Sequence, residues 1–253
     1  MNFVSFKQLH EDVRVFAAQL PEVDMIIGIP RSGLLIANLI ALQKNIPLGV
    51  VDSNKGYLHL KGGLRDTLQD KARLLVVDDS VASGTSMENA RKMMVGIPAA
   101  IGYAGMYIQE SARGLVDYYY KVVEQPRIFE WNFMHSGALE EACVDIDGVL
   151  CPDGDGSYDG PAWHVPRYTI HSIVTGRQES RREHTEKWLK NNGIKFRYLM
   201  MRPDNSVSCE AFKAKYYKAS DTKVFIESAL NQAEHIRDFA QKPVLCTDVM
   251  AIL

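Results

Sequence analysis

Residues 76–86 read VVDDSVASGTS, and this stretch decides the fold of the first half of the chain. An apolar run ends in two adjacent acids, Asp78 and Asp79, and then passes into small and hydroxylated residues. Ionised carboxylates are costly in an apolar setting unless they are paired or hydrogen-bonded. The stretch therefore predicts either an exposed turn or a pair of acids that holds something outside the chain.

The composition predicts a folded protein with a sizeable core. The 253 residues are 46% hydrophobic and 24% charged, and the formal net charge is -2. This composition is that of a globular protein, without the broad basic surface of duplex-binding proteins. Nucleic acid is therefore not favoured as the main partner, although a small basic patch stays compatible with the sequence.

The sequence predicts a cytoplasmic protein without a membrane partner. The first residues, MNFVSFKQLHEDVRVF, lack the pattern of a signal peptide, and no apolar run is long enough to span a bilayer. The four cysteines are scattered without CxxC spacing, which indicates reduced thiols and no zinc site.

Apolar runs alternate with helical patterns along the whole chain, which predicts an α/β protein with parallel sheets and crossover helices. We expect two Rossmann-like domains with mainly parallel sheets, at residues 1–137 and 138–253. The small, polar stretch HSGALEEA marks the boundary. RIFEWNF, residues 127–133, is the expected last strand of the first domain, and residues 52–70 form a loop or short hairpin.

A second acid pair follows an apolar strand in CVDIDGVL, residues 143–150. In open parallel sheets, ligands bind beyond the carboxyl ends of the strands. Both acid pairs lie at such ends, so the sequence predicts two separate sites.

The first site has the chemistry of a sugar-phosphate pocket. Residues 82–86 offer backbone N–H groups, three hydroxyls and a glycine at the start of a helix, and this combination suits a phosphate monoester. The preceding carboxylates can accept hydrogen bonds from vicinal hydroxyls. Together these groups predict a ribose 5-phosphate.

This stretch resembles the signature of type I phosphoribosyltransferases, and the resemblance covers about residues 1–135. It implies that the acids hold the ribose hydroxyls of phosphoribosyl pyrophosphate (PRPP), that the following loop binds the 5-phosphate, and that GIPRSG binds pyrophosphate. The implied PRPP-binding residues are Arg31, Ser32, Gly33, Asp78, Asp79, Ala82, Ser83, Gly84, Thr85 and Ser86. Residues 52–70 take the place of the family's hood, where Lys55, Lys61 and Arg65 are available for pyrophosphate. The acceptor would be a nucleobase or a similar compound.

The second site combines two acids with a hydroxyl, a lysine and a later acid. Asp145 and Asp147 are two residues apart on an extended segment, so their side chains point the same way. One such carboxylate can attack while the other moves a proton. Thr175 can bind a phosphoryl group, and Glu227 can help to hold a metal.

This ordered set resembles the phosphatase branch of the haloacid dehalogenase superfamily, over about residues 140–253. The resemblance implies that Asp145 is the nucleophile, Asp147 the general acid/base, and Mg²⁺ the cofactor, held by Asp145, the carbonyl of Asp147, and Glu227. The lysine lies on the predicted helix CEAFKAKYYKA; Lys213 is preferred, with Lys215 and Lys218 left open. The last motif departs from the usual aspartate pair, since it reads IESA.

The interval between Asp147 and Thr175 is too short for a cap domain, so this resemblance implies a capless, open fold. Such a site suits a bulky phosphate ester, or a cap lent by another domain or subunit, and is compatible with a homo-oligomer. The stretch VTGRQESRREHTEKWL is also faintly similar to the phosphatase part of polynucleotide kinase-phosphatases. Trp163 and Trp188 are predicted to be packing residues, not platforms for a base.

The sequence thus predicts a bifunctional enzyme of nucleotide metabolism: a phosphoribosyltransferase, which is a glycosyltransferase, fused to a Mg²⁺-dependent phosphatase, a hydrolase. Its partners would be PRPP, a nucleobase or nucleotide, and a phosphate monoester. Two alternatives stay open. The first domain could sense PRPP or a nucleotide and regulate the phosphatase. The phosphatase could instead act on polynucleotide ends, through a basic surface around Arg177, Arg181 and Arg182.

Overall fold

The computed structural model describes residues 1–60, 72–153 and 160–253, and the chain divides into two compact units. The N-terminal unit comprises residues 4–125 with Asn2, and the C-terminal unit comprises residues 126–253 with Met1 and Phe3. The division between Gln125 and Pro126 lies earlier than the boundary that the sequence suggested after residue 137.

In the N-terminal unit, strands and helices alternate along the chain. After β1 (Asn2–Val4), whose residues are divided between the two units, the bounds are α1 (Phe6–Gln19), β2 (Met25–Gly28), α2 (Ser32–Lys44), β3 (Leu48–Asp52), β4 (Gly56–Leu60), β5 (Arg73–Val81), α3 (Thr85–Met93), β6 (Ala100–Ile108) and β7 (Tyr118–Val122). A short 3₁₀ helix, Glu110–Leu115, precedes β7.

Six of these strands form one sheet in the order β4-β3-β2-β5-β6-β7. All neighbours are parallel except β3 and β4, which form an antiparallel hairpin. A loop or short hairpin was predicted for residues 52–70, and β4 lies in the described part of that stretch. Residues 61–71 lie outside the described residues. Parallel neighbours need crossover connections, and α2 lies between β2 and β3, α3 between β5 and β6, and the short 3₁₀ helix between β6 and β7.

The edge strand β7 was not predicted from the sequence. Its residues, YYYKV, are all exposed or half-buried, so the strand lacks the apolar run that marks β2 or β5. The strand predicted at residues 127–133 is reduced to three residues, because most of that segment turns into a 3₁₀ helix of the C-terminal unit.

The C-terminal unit repeats the alternation. Its bounds are β8 (Arg127–Phe129), β9 (Ala142–Val144), β10 (Ile170–Gln178), α4 (Arg182–Asn191), β11 (Phe196–Arg202), α5 (Cys209–Ala219), β12 (Val224–Glu227), α6 (Leu230–Ala240), β13 (Val244–Cys246) and β14 (Ala251–Ile252). Short 3₁₀ helices span Glu130–His135, Gly137–Glu141 and Glu179–Arg181.

Its sheet has the order β11-β10-β9-β12-β13-β14, and only β14 is antiparallel to its neighbour. The residues between 126 and 141 pack into the core of this unit, since Ile128, Phe133 and Leu139 belong to the same buried apolar cluster as Val144 of the central strand β9. This burial explains why the division of the chain precedes the polar stretch at 135–142.

Among the described residues, no helix has both the length and the apolar character needed to cross a membrane.

Candidate functional sites

In the N-terminal unit, the loop after β2 lies directly beside β5. The Ile29 N–H donates to the carbonyl oxygen of Val77 at 3.0 Å, and the chain then turns into α2. A β-carbon on Gly33 would lie 2.8 Å from the Val77 oxygen and 2.9 Å from the α-carbon of Asp78. Only a residue without a side chain lets the start of α2 approach the acid-bearing strand this closely.

The acid pair lies inside β5, not beyond its end as the sequence suggested. The strand continues to Val81 because β6 pairs with it as far as Ile108, whereas the pairing with β2 stops at Gly28, opposite Val77. Both acids therefore lie just past the end of the neighbouring strand β2.

Asp78 and Asp79 are only 7% and 6% exposed. The Asp79 N–H donates to Oδ1 of Asp78 at 2.9 Å. Burial, followed by the charge of the adjacent Asp79, raises the pKa of Asp78 to about 8. A carboxyl group with such a pKa is largely neutral at pH 7. A ligand that stabilises the charged form would lower this pKa and ionise the group.

The loop at residues 82–86 leads from β5 into α3. Gly84 adopts φ +76° immediately before the first helical residue, Thr85, and a β-carbon there would lie 2.6 Å from Cδ1 of Leu115. The hydroxyls of Ser83 and Thr85 are 3.0 Å apart, and both side chains are exposed, as is Ser86. The N-terminus of a helix with exposed hydroxyls around it is suited to an anion.

The remaining predicted residues of this site are distributed over two loops. Arg31 is exposed and Ser32 half-buried at the start of α2, and the peptide bond between Pro30 and Arg31 is cis. Lys55 is exposed in the hairpin turn between β3 and β4. Lys61 and Arg65 lie outside the described residues.

Substitution Gly33→Ala should weaken PRPP binding by at least about tenfold and loosen β5. The added methyl group would meet backbone atoms of Val77 and Asp78, which cannot move aside without shifting the strand. Calorimetry with PRPP and Mg²⁺, together with amide hydrogen exchange in β5, measures both effects. Gly114→Ala is the matched control, because no atom of the described residues lies within 4 Å of a β-carbon at that position. If the two variants had equal PRPP affinity and equal hydrogen exchange in β5, the claim that Gly33 is needed for the close approach of α2 to β5 would be contradicted.

In the C-terminal unit, three adjacent strands bring the predicted catalytic residues to one edge of the sheet. Asp145 follows β9, and its N–H donates to the carbonyl oxygen of Ile226 in β12 at 3.0 Å. Glu227 ends β12 on one side of β9, and Thr175 lies in β10 on the other. Asp145, Thr175 and Glu227 are all buried.

Lys213 of α5 joins two of these acids. Its Nζ lies 2.7 Å from Oδ2 of Asp145, 2.7 Å from Oε2 of Glu227 and 3.0 Å from Oε1 of Gln232. Lys213 is only 2% exposed, whereas Lys215 and Lys218, the other two candidates, are exposed. The structure thus places Lys213, and neither alternative, among the acids.

The charges of this network do not balance. Burial, followed by the charge of Asp145, raises the pKa of Glu227 to about 7. Burial disfavours the charged form of Lys213, but the attraction of Asp145 and Glu227 outweighs it and raises the pKa of the ammonium group. Two carboxylates share one ammonium group, so an additional positive charge would favour the ionised form of both acids.

Asp147 is held by an arginine that sequence reasoning assigned elsewhere. Arg177 Nη2 lies 2.6 Å from Oδ1 of Asp147, and Arg177 Nε lies 2.9 Å from Oδ2. Arg177 is 1% exposed and cannot belong to a surface that binds a polynucleotide, which corrects the basic patch proposed from the sequence. Arg182 of that patch is paired with Glu179 and Glu186. Arg177 ends the strand HSIVTGR predicted from the sequence, close to Thr175, and this position was the signal that could have identified it.

A cavity of about 250 Å³ opens at this edge of the sheet. Its lining includes Asp145, Asp147, Arg177, Lys213 and Glu227. Thr175 is not among the lining residues; its hydroxyl accepts a hydrogen bond from the Arg177 N–H at 3.2 Å. The arrangement places three carboxyl groups, a lysine and an arginine around one space, with the threonine supporting the backbone behind it.

The donor set at this cavity fits Mg²⁺. Oδ1 of Asp145 is buried and has no hydrogen-bond partner among the described residues. The carbonyl oxygen of Asp147 accepts a 3.3 Å hydrogen bond from the Ser228 hydroxyl, and Glu227 is bonded to the same lysine as Asp145. These are hard oxygen ligands of the kind that Mg²⁺ takes together with water. Within the described part of the chain, however, no cluster of three or more acidic, histidine or cysteine side chains is arranged to hold a metal.

Lys213→Met should lower the free energy of unfolding of the C-terminal unit by about 3–5 kcal/mol, because it leaves two buried carboxylates without their cation. Urea unfolding followed by tryptophan fluorescence measures this, since all three tryptophans, at positions 131, 163 and 188, belong to this unit. Lys215→Met is the matched control on the same helix and should change stability by less than about 0.5 kcal/mol. An unchanged stability of Lys213→Met would contradict the buried network.

The two tryptophans predicted to pack differ in their surroundings. Trp188 is 7% exposed, and its indole N–H donates to the carbonyl oxygen of Gly160 at 2.8 Å. Trp163 is 55% exposed, so the packing role predicted for it is wrong. It lies in the irregular segment after residue 160, which has no strand or helix to bury it.

The N-terminal unit has the features of an α/β protein that binds phosphorylated sugars: a parallel sheet, an acid pair beside it, and a hydroxyl-bearing loop that starts a helix. Sequence comparison agrees, since the phosphoribosyl transferase domain family matches residues 5–139, which is more than half of the chain. The chain belongs to this family, and the class of enzyme that the match supports is a phosphoribosyltransferase.

Several solved structures resemble part of the chain. A purine phosphoribosyltransferase from Pyrococcus horikoshii Ot3 is 23% identical, with a TM-score of 0.41, over 52% of this chain and 94% of that one. A xanthine-guanine-hypoxanthine phosphoribosyltransferase from Helicobacter pylori is 18% identical, with a TM-score of 0.40, over 51% and 92%. An orotate phosphoribosyltransferase from Aeropyrum pernix is 22% identical, with a TM-score of 0.35, over 47% and 71%. No curated protein matches the chain.

Proposed function

We propose that the chain is a bifunctional enzyme, in which the N-terminal unit transfers a phosphoribosyl group and the C-terminal unit hydrolyses a phosphate monoester. Family membership supports the first activity, over residues 5–139. The observation that carries the second is the Lys213 ammonium group bridging Asp145 and Glu227 at the strand ends, beside Asp147.

In the transferase reaction, the bond between C1 of the ribose and pyrophosphate breaks, and a nitrogen of a nucleobase-like acceptor bonds to C1. Asp78 and Asp79 would accept hydrogen bonds from the ribose hydroxyls, and residues 82–86 would hold the 5-phosphate. Residues 31–33 would contact the pyrophosphate. The close approach at Gly33 supports this assignment, because it brings the loop that would hold the leaving group next to the acid pair.

In the phosphatase reaction, a carboxylate oxygen of Asp145 would attack phosphorus and displace the alcohol of the ester. Asp147 would give its proton to that alcohol and then remove a proton from the water that hydrolyses the aspartyl-phosphate. Lys213 would offset the charge of the phosphoryl group during both steps. Arg177 orients Asp147 through two of its nitrogens.

Mg²⁺ would be held by Asp145, the carbonyl oxygen of Asp147 and Glu227, and would supply charge neutralisation at the phosphoryl oxygens. The unpartnered Oδ1 of Asp145 and the raised pKa of Glu227 support this assignment. A glutamate in place of the usual aspartate has the reach to bind the ion directly or through water.

The burial of Arg177 disfavours a polynucleotide-end phosphatase, because the arginine would be needed on the surface to bind a strand. In a PRPP-sensing role, the N-terminal unit would bind PRPP in the same way but would not convert it to a product. We favour catalysis because the family match supports the transferase class.

Incubating the protein with PRPP, Mg²⁺ and a panel of nucleobases, and identifying products by mass spectrometry, tests the proposal. A nucleotide or nucleoside with release of pyrophosphate is the expected result. If the activities work in series, wild type yields the nucleoside, whereas Asp145→Asn accumulates the nucleoside monophosphate. Equal accumulation in both proteins would contradict the coupling. PRPP binding without any product would favour the sensing role.

A further inference from the structure

A second cavity, of about 340 Å³, adjoins the phosphatase cavity in the C-terminal unit. The two cavities share Asp153, Ser228 and Ala229 in their linings. The volume of the second cavity falls within the range of about 300–1,000 Å³ that is usual for binding sites of small molecules. A group joined to a phosphate at Asp145 could therefore extend into this second cavity.

One part of the cavity wall is aromatic. Trp163, Phe133 and His164 line it, and the His164 ring meets the edge of the Phe133 ring with centroids 5.4 Å apart. Burial, followed by the charge of His135, lowers the pKa of His164, so its ring is neutral at neutral pH. Trp163 is fixed through its backbone N–H, which donates to the carbonyl oxygen of Leu150 at 2.7 Å, while its side chain stays more than half exposed. An anchored, exposed indole beside a cavity is a surface on which a planar ring can stack.

The polar part of the wall carries acceptors and no fixed positive charge. Asp153, Asp248, Ser228 and Thr247 line the cavity, and no lysine or arginine is among its described lining residues. Carboxylates and hydroxyls can bind the hydroxyls of a sugar. They repel a second phosphate, since like charges in a partly enclosed space oppose each other.

We propose that this cavity, defined by Trp163, His164, Asp153 and Asp248, binds the leaving group of the phosphatase reaction, and that this group is an uncharged nucleoside. The proposal rests on the phosphatase activity proposed above and names its substrate class as nucleoside 5′-monophosphates. The base would stack on Trp163, and the sugar would face the acids. A polynucleotide is disfavoured because its further phosphates would meet the two carboxylates.

The test compares adenosine 5′-monophosphate with ribose 5-phosphate, which carries a hydroxyl at C1 where the nucleotide carries its base, as substrates of the whole chain. Wild type should show a kcat/KM at least about tenfold higher for the nucleotide. Trp163→Ala should lower the value for the nucleotide about tenfold or more, as expected when a stacked base loses its aromatic partner, and change the value for ribose 5-phosphate less than about twofold. Trp163→Phe should retain most of the preference. Tyr198→Ala is the matched control, because Tyr198 is 54% exposed in the same unit but lines neither cavity.

Equal turnover of the two substrates by wild type, or an equal loss on both in Trp163→Ala, would overturn the proposal while leaving the phosphatase activity standing. Preference for a 5′-phosphorylated oligonucleotide would also overturn it. If wild type hydrolyses no ester, the proposed phosphatase activity is rejected. Calorimetry then tests separately whether the cavity binds a nucleoside monophosphate. In a protein carrying Asp78→Asn and Asp79→Asn, binding of adenosine 5′-monophosphate that Trp163→Ala abolishes would support the cavity assignment. Binding that is absent, or insensitive to Trp163→Ala, would reject it.

Discussion

Asp145→Asn is expected to lower phosphatase turnover by on the order of 10³-fold or more, because a neutral amide cannot form the aspartyl-phosphate. Steady-state hydrolysis of a small chromogenic phosphate ester with Mg²⁺ measures the loss. The side chain keeps its shape, and Lys213 keeps its bond to Glu227, so the network should stay folded. An unchanged tryptophan fluorescence spectrum would show that the C-terminal unit is intact.

Two further observations separate a nucleophilic role of Asp145 from a merely structural one. Asp147→Asn should also slow turnover but leave phosphoryl-enzyme trapped, since hydrolysis of the intermediate needs a base; intact-protein mass spectrometry detects the adduct. Fluoroaluminate with Mg²⁺ should inhibit wild type by imitating the phosphoryl group. Full activity of Asp145→Asn would rule out the assignment of the nucleophile.

The double substitution Asp78→Asn and Asp79→Asn should weaken PRPP binding by at least about 100-fold, because two anionic acceptors for ribose hydroxyls are lost. Isothermal titration calorimetry with PRPP and Mg²⁺ measures the change. Hydrolysis of the chromogenic ester is the internal control and should survive, since the residues proposed for the phosphatase reaction all belong to the other unit.

The pH dependence of PRPP binding gives a second measure of the same acids. Asp78 has a pKa of about 8 in the free protein, so below that pH a ligand that needs the ionised carboxylate must first displace a proton. The affinity of wild type should therefore increase as the pH rises from 6 to 8 and then level off, and the double variant should lose this dependence. Undiminished affinity in the double variant at every pH would reject the assignment.

The local patterns of the sequence predicted most helices and strands well. CEAFKAKYYKA became the helix Cys209–Ala219, and the apolar run before the first acid pair became β5. These elements were predictable because hydrophobic periodicity and flanking turn residues act over a few positions. Strand β7 and the extension of β5 past Asp79 were missed, since both depend on pairing with β6 and not on an apolar pattern of their own.

The burial of individual side chains was the main property that could not be predicted from the sequence. Arg177 looked like a surface cation within a basic stretch, yet it lies under Asp147 because β10 turns its side chain inward. Trp163 looked like a packing residue, yet no element of the described chain covers it. Arginine is usually found on the surface and tryptophan in the core, but long-range packing buries Arg177 and leaves Trp163 exposed.

By itself, the sequence determined that the chain has two α/β halves, that each carries an acid pair next to an apolar run, and that the first resembles a phosphoribosyltransferase. These conclusions rest on short-range order, which residue type and spacing express directly. The tertiary structure decided which of Lys213, Lys215 and Lys218 reaches Asp145, which arginine holds Asp147, and that a partly aromatic cavity adjoins the cavity around these acids. Such contacts join residues tens of positions apart, so they exist only once the parallel strands have brought their carboxyl ends to one edge of the sheet.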